Sequence, residues 1–222
     1  MEDLEKDIRN RLIWDDRIDD TQIEIIAKNG KVTLRGCVTN YPEKILAEIE
    51  TQMIPGVKSV VNEIEVKFPD STGITTDKNV EEAMYCLLDA YSEIDSNDVN
   101  VSIHDGVVKL TGKVNTYWKK YKIEKLASQI IGVNSVENKI SVIPDKMTSD
   151  QQILEFLQIA FRDSVHVDPT NINIKVDIGI VTLSGTISSM SEHDAILSIT
   201  RSIKGVVGII DELKWILRYQ TT

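Results

Sequence analysis

Hydrophobic residues recur along the chain with two spacings that alternate in a fixed order. Near the start, Leu4, Ile8 and Leu12 follow the i, i+4, i+8 spacing of one helix face. Two runs with a period of two come next and predict strands with one apolar row each, namely Ile23, Ile25, Ala27 and then Val32, Leu34, Gly36, Val38. A second amphipathic segment and a last alternating run complete the order helix, strand, strand, helix, strand.

This pattern occurs three times, at offsets of 76 and 73 residues. Second amphipathic segments span roughly 41–54, 117–131 and 190–203, and the last strand of the third copy is predicted to include Trp215 and Leu217. Three glycines recur in each copy, and the third of them is always followed by valine. They are Gly30, Gly36, Gly56, Gly106, Gly112, Gly132, Gly179, Gly185 and Gly205. The recurrence predicts three tandem domains, at residues 1–70, 76–144 and 149–218.

Local signals sharpen the element boundaries. Thr76 and Ser149 stand before an acidic first turn and are predicted to cap the first helices of the second and third copies. Asn29-Gly30 and Asp105-Gly106 tolerate the positive φ of a tight hairpin. The third copy has Ile178 before Gly179, and because a β-branched residue tolerates positive φ poorly, a different turn type or a bulge is expected there. The third glycine of each copy is expected near the C-terminal end of the second helix.

Two helices cover only one face of a three-stranded sheet. The fold class is therefore α+β, with three tandem αββαβ domains that each place two helices on one face of a mixed sheet and leave an open, polar face. The crossover from the second to the third strand is expected to be right-handed. Domains this small are individually marginal, so we expect packing between copies to contribute to stability.

Composition narrows the class of function. The net charge of −10 disfavours nucleic acid as a partner, and 41% hydrophobic residues suffice for packed cores. No apolar stretch is long enough to span a bilayer, and the first residues lack the features of a signal peptide. As the sequence stands, a cytoplasmic location is expected, or a periplasmic one if a leader has been removed. Cys37 and Cys86 lie at non-equivalent positions and are expected to be isolated core thiols.

The glycine pattern resembles that of the BON family, named for bacterial osmotically inducible and nodulation proteins. The resemblance rests on the hairpin glycines, on the Val-x-Leu-x-Gly strands that end at Gly36, Gly112 and Gly185, and on the Gly-Val pairs at 56, 132 and 205. It covers nearly the whole chain. It implies the αββαβ fold, no catalysis, and a binding role at phospholipid surfaces or on protein partners in envelope maintenance or osmotic stress.

Chemistry-bearing motifs are few. His104, His166 and His193 occupy non-equivalent positions without a metal-ligand spacing, and are expected to be solvated or in turns. No nucleophile elbow, phosphate loop or dinucleotide fingerprint is present, so neither a catalytic residue nor a cofactor nor a metal site is predicted, and the chain is not expected to be an enzyme. The acidic pairs Asp15-Asp16 and Asp19-Asp20 are expected to be solvated, with a weak divalent-cation site as the alternative.

One segment departs from the acidic background. It opens the second helix of the middle copy and interleaves aromatic residues with lysines. On a helical wheel Ile123, Leu126, Ala127 and Ile130 share the core face, which leaves five binding candidates pointing largely outward: Tyr117, Trp118, Tyr121, Lys122 and Lys125. Three interpretations remain open: packing against a neighbouring copy, contact with a phospholipid surface, or contact with a protein partner.

The third copy carries extra apolar residues, Ile178, Ile180, Val207 and Ile210, which indicate a surface that contacts either another copy or an external partner. The sequence thus supports a non-catalytic binding protein that contacts a phospholipid surface or a protein partner. The alternative is a scaffold or homo-oligomer that binds other chains through sheet faces or edges without lipid affinity.

Overall fold

The computed structural model describes residues 2–68 and 76–216. Its helices are α1 Glu2–Ile13, α2 Tyr41–Gln52, α3 Asp77–Asp89, α4 Tyr117–Ser128, α5 Asp150–Asp163 and α6 Met190–Ser202. Its strands are β1 Ile23–Lys28, β2 Lys31–Val38, β3 Ser59–Val66, β4 Val99–His104, β5 Val107–Val114, β6 Ser135–Val142, β7 Ile172–Asp177, β8 Ile180–Ile187 and β9 Gly208–Trp215. The predicted boundaries at 70 and 218 and the predicted strand residue Leu217 lie outside the described residues.

The strands form three sheets with the same strand order, β1-β2-β3, β4-β5-β6 and β7-β8-β9. In the first sheet β1 runs antiparallel to β2 and β2 runs parallel to β3, so that Leu34 lies between Ile25 and Asn62. The third sheet repeats this register, with Leu183 between Ile174 and Asp211. The predicted α+β class with three mixed-sheet repeats is confirmed.

The recurring apolar positions form the cores. Leu34, Leu110 and Leu183 are fully buried on the central strands, at the positions that the glycine register made equivalent. On the first helices the equivalent residues are also buried, namely Leu12, Leu88 and Phe161. Burial of one apolar row per strand against one stripe per helix is the arrangement that spacings of two and of about 3.6 residues predict.

The helix caps follow the predicted residues. The Thr76 hydroxyl accepts a hydrogen bond from the Asn79 backbone N–H, and Ser149 forms a reciprocal capping box with Gln152. Each cap satisfies backbone donors that have no partner within the first helical turn.

The three hairpin turns share one geometry, so the expected difference in the third repeat is wrong. The residue before the glycine has a φ of 53° at Asn29, 50° at Asp105 and 49° at Ile178. The Asp150 carboxylate accepts hydrogen bonds from the backbone N–H groups of Ile178, at 2.9 Å, and Gly179, at 2.8 Å. These bonds hold the left-handed turn despite the β-branched side chain, which points into solvent and is 83% exposed.

The second helices end earlier than predicted. Met53 is the C-terminal cap of α2, and Gly56 lies in the turn beyond it with a φ of 93°. Gly132 and Gly205 have the same left-handed conformation, at 100° and 92°. The glycines therefore serve the connection from helix to strand and do not terminate the helix itself.

Contacts group the described residues into two compact units, the first within 1–111 and 123–139 and the second within 112–122 and 140–222. Within the described residues no helix is long and apolar enough to cross a bilayer. Both cysteines are free thiols, but Cys37 is half-buried and Cys86 is exposed, so the expectation of core thiols is wrong.

Candidate binding surface

The N-terminal end of α4 presents the predicted aromatic and basic residues. The Thr116 hydroxyl accepts a hydrogen bond from the Lys119 backbone N–H at 3.3 Å, so the helix begins at Tyr117. Ile123, Leu126 and Ala127 are buried, as their shared face predicts, whereas Ile130 lies beyond the end of the helix and is half-buried. This burial fixes the direction in which the other side chains of the helix point.

The five predicted binding residues differ in exposure. Trp118 is 36% exposed and Lys125 is also exposed. Tyr117, Tyr121 and Lys122 are half-buried, so they point outward less than the helical wheel predicts. A wheel considers one helix alone and omits what other segments place against it.

Arg201, in the last turn of α6, accounts for part of this burial. Its guanidinium lies 3.6 Å from the centroid of the Tyr121 ring, within the second compact unit. A cation over an aromatic face is attracted by the ring quadrupole, and the stack orients the planar guanidinium. Tyr121 therefore contacts a residue of the third repeat, as one of the three interpretations expects. No local spacing relates residues 121 and 201, so sequence reasoning missed Arg201.

We call Tyr117, Trp118, Tyr121, Lys122 and Arg201 together the α4 surface. It joins aromatic rings to cationic groups in a chain whose net charge is −10. Lys125 lies one helical turn beyond Tyr121 and adds a further exposed lysine. Rings and cations side by side suit a boundary between apolar and anionic groups.

Buried carboxylates in the first and third repeats form a separate feature. Glu192 accepts hydrogen bonds from the backbone N–H groups of Asp168, at 3.0 Å, and Ser188, at 2.8 Å, and from the Ser188 hydroxyl at 2.8 Å. Burial raises the pKa of Glu192, but the hydrogen bonds from Ser188 and Asp168 lower that pKa by more, so it lies below its usual value. Glu43 receives the equivalent bonds from Asp19 and Thr39. Since their oxygens already accept several bonds, these carboxylates tie loops to the second helix.

His193 is buried, so the expectation that all three histidines are solvated or in turns is wrong. Its Nε2 lies 2.6 Å from Oδ2 of Asp211, which joins α6 to β9. In the first repeat Asn62 makes the corresponding link, donating to the Lys44 carbonyl and to Glu48 of α2. The recurrence of a helix-to-strand link at one place in two repeats indicates a structural role.

A half-open cavity of about 230 Å³ lies in the first compact unit. Its lining is mainly apolar and aromatic and includes Tyr41, Pro42, Phe68, Ile130 and Ile131. Burial raises the pKa of Tyr41, although the hydrogen bond from the Val136 backbone opposes the shift. Over the described residues no three His, Cys, Asp or Glu side chains gather in a way that could hold a metal ion. The Asp15 carboxylate is engaged by Arg17, and Asp19 caps a short 3₁₀ turn.

Comparison with known proteins places these features in a family context. The model of the BON domain family matches residues 2–67, 76–144 and 149–216. The osmotically-inducible protein Y of Escherichia coli (strain K12) is 27% identical over 164 residues, which are 71% of this chain and 78% of that protein. An uncharacterized protein in gshII 5'region of Anaplasma centrale is 28% identical over 123 residues, 53% of this chain and 82% of its own length.

Two solved structures of CdsD, a structural protein of the type III secretion system of Chlamydia trachomatis, also match. One is 17% identical and covers 96% of this chain and 92% of its own, and the other is 16% identical and covers 98% and 99%. Both have a TM-score of 0.27. A score this low does not establish a common arrangement.

Proposed function

Because the chain belongs to the BON domain family, a family of non-catalytic binding domains, we propose that it is a non-catalytic binding protein that acts in an envelope or osmotic stress context. The osmotic part rests on the printed name of the Escherichia coli relative. The non-catalytic part is supported by the buried carboxylates and His193, which are engaged in structural hydrogen bonds. Function then depends on which surface meets a partner.

The α4 surface is the surface that we assign to a phospholipid boundary. The observation that carries this assignment is the exposed ring of Trp118 on one surface with the cations Lys122 and Arg201. Indole rings favour the headgroup level, where one edge is apolar and the other is wet. Each cation near an anionic surface contributes about 1 kcal/mol to the free energy of binding, so several cations together give a measurable affinity.

Vesicle flotation of the intact protein tests the assignment. The variant Trp118→Ala/Lys122→Glu removes one ring and reverses one charge of the α4 surface. We expect it to lose most of its flotation with vesicles containing phosphatidylglycerol. Neutral phosphatidylcholine vesicles should bind the parent protein less, and added salt should weaken binding to the anionic ones.

Trp14→Ala/Lys6→Glu provides a matched control, because it removes another exposed tryptophan, 76% accessible, and reverses another exposed lysine on the first repeat. This control should float as the parent does. Equal flotation of all three proteins with anionic vesicles contradicts the assignment. So does an absence of lipid binding by the parent.

A second candidate function is a scaffold that binds other chains through sheet faces or edges. The observation in its favour is the exposure of Ile180 and Ile210, which lie on neighbouring strands on the open face of the third sheet. Exposed apolar groups at such a place commonly mark a contact. Concentration-dependent assembly in light scattering without lipid affinity would favour the scaffold over the membrane role.

A further inference from the structure

The first strands of the first and third repeats are edge strands with different protection. In β1 the Ala27 backbone N–H donates to Oε1 of Glu5 at 2.8 Å. Ala27 lies opposite Val32 in the antiparallel pair, and an N–H that reaches α1 points away from β2. Edge strands expose unpaired N–H and C=O groups to other chains, and a charged side chain on the edge is a known form of protection. Glu5 therefore protects the edge of the first sheet from pairing with another strand.

The third repeat has no carboxylate at the position of Glu5. Val176 lies opposite Val181, the register position of Ala27, and Leu154 occupies the place of Glu5 on the first helix of the repeat. Leucine has no acceptor, and within residues 2–68 and 76–216 no side chain accepts a bond from the Val176 N–H. In an antiparallel pair every second residue directs both backbone polar groups outward, so Ile174 shares the outward orientation of Val176, whereas the Ile172 N–H already donates to the Pro169 carbonyl.

The side chains of this strand are also less covered. Ile23, Ile25 and Ala27 of β1 are buried, whereas Ile172, Ile174 and Val176 of β7 are half-buried. Ile178, two residues beyond Val176, is 83% exposed in a left-handed conformation that disfavours β-branched residues. Asn29 and Asp105 occupy the same turn position in the other repeats without this apolar exposure. Folding does not require an isoleucine there, so its exposed side chain is available for contact with another chain.

We propose that β7 pairs antiparallel with β7 of a second copy of this chain, with Val176 on the two-fold axis. This register places Lys175 opposite Asp177 of the second copy, and Asp177 opposite its Lys175. Both side chains are exposed on the open face of the sheet, where opposite charges across strands attract. Ile178 follows the paired residues in the hairpin turn, where its exposed side chain adjoins the second copy.

Charge complementarity selects this register among its neighbours. A two-fold axis at Lys175 would set the two lysines directly against each other, which is unfavourable. With the axis at Val176, the outward N–H and C=O groups of the two Val176 residues bond to each other. The inference deepens the scaffold function proposed above, because it names the partner and the edge, and it does not depend on lipid binding.

Sedimentation equilibrium of the full chain over a range of concentrations, without lipid, tests the proposal. The parent protein should show a monomer–dimer equilibrium. Leu154→Glu introduces the carboxylate that protects the edge in the first repeat. It should raise the dissociation constant of the dimer at least about tenfold, or about 1.4 kcal/mol. Ile159→Glu is the matched control, since it adds the same charge at an exposed position of α5 that lies on a different face of the helix, and it should leave the dimer unchanged.

Charge reversal tests the register. Lys175→Asp places two aspartates opposite each other at both contacts, and Asp177→Lys places two lysines there, so each variant alone should dimerise about tenfold more weakly. An equimolar mixture of the two variants pairs Asp with Lys at both contacts and should restore the dimer as a heterodimer. A structural defect in either variant would not be rescued by mixing.

The outcomes separate this inference from the wider function. A dimer that ignores Leu154→Glu and shows no rescue on mixing overturns the β7 contact but leaves the scaffold function standing. A protein that stays monomeric at every concentration overturns the β7 contact and self-association as the scaffold mode. Vesicle flotation of the same samples measures the lipid role independently of both.

Discussion

The buried Glu192 carboxylate offers a sharp test of how the third repeat is held together. It joins the loops around Asp168 and Ser188 to the start of α6 through three hydrogen bonds, of which two come from backbone N–H groups. Glu192→Ala leaves both N–H groups without this acceptor. An unsatisfied buried polar group costs about 1–3 kcal/mol, so the third repeat should lose roughly 3 kcal/mol. Glu192→Gln keeps an acceptor oxygen and should lose about half as much.

Native-state hydrogen exchange on the full chain measures this loss separately in each repeat. A single unfolding curve of a three-repeat protein cannot separate the repeats. The amides of β8 should lose protection equivalent to roughly 3 kcal/mol in Glu192→Ala, whereas those of β2 should be unchanged. A loss below about 1 kcal/mol in β8 would refute the reasoning. Equal losses in both strands would show that the effect is not local.

The same carboxylate gives the third repeat a pH dependence of known sign. Because its pKa is lower in the folded state than its ordinary value of 4.5, its stabilisation is fully present above that value. The stabilisation is lost as the pH falls through the folded-state pKa. Protection of β8 should therefore decline below pH 4.5 in the parent, and the part of the decline due to this group should be missing in Glu192→Gln.

Three further substitutions test other contacts. Glu50→Ala removes the buried partner of Arg11, whose side chain is 27% exposed, and should cost the first repeat about 1.5–3 kcal/mol in hydrogen exchange. Arg11→Leu/Glu50→Leu should cost much less, and equal losses would contradict this. Gly36→Ala should lower the free energy of unfolding by at least about 3 kcal/mol, because Gly36 has a φ of +116° and an added Cβ would lie 1.8 Å from the Gln22 carbonyl oxygen. Unchanged stability in thermal unfolding would contradict this. Ile178→Asn should stabilise the third repeat by about 1 kcal/mol at dilute protein concentration, since asparagine tolerates the φ of 49° at this position. A loss of hydrogen-exchange protection in this variant would show that the turn needs isoleucine.

The repeat pattern carries most of the fold because it reports local physics. Periods of two and 3.6 residues reflect side-chain geometry within one strand or helix, so Leu34, Leu110 and Leu183 could be placed in the cores without any long-range information. The caps at Thr76 and Ser149 are likewise set by their own first turns. These predictions needed only neighbours in sequence.

The failures share the opposite cause. Ile178 adopts the common hairpin turn because Asp150, 28 residues earlier, accepts its backbone N–H, and local turn preferences omit that partner. His193 is buried because Asp211 on a distant strand meets it. Arg201 joins the α4 surface through Tyr121, 80 positions away in the chain. Contacts of this kind depend on the folded arrangement, and spacing along the sequence does not encode them.

The central claim is that one αββαβ unit occurs repeatedly, with its second strand parallel to its third. Nuclear Overhauser contacts between backbone protons of a labelled sample test it directly. The account predicts parallel cross-strand contacts at Gly36 with Ile64 in the first repeat and at Gly185 with Leu213 in the third. Antiparallel contacts between these strands, or parallel contacts in one repeat and not in the other, would contradict it.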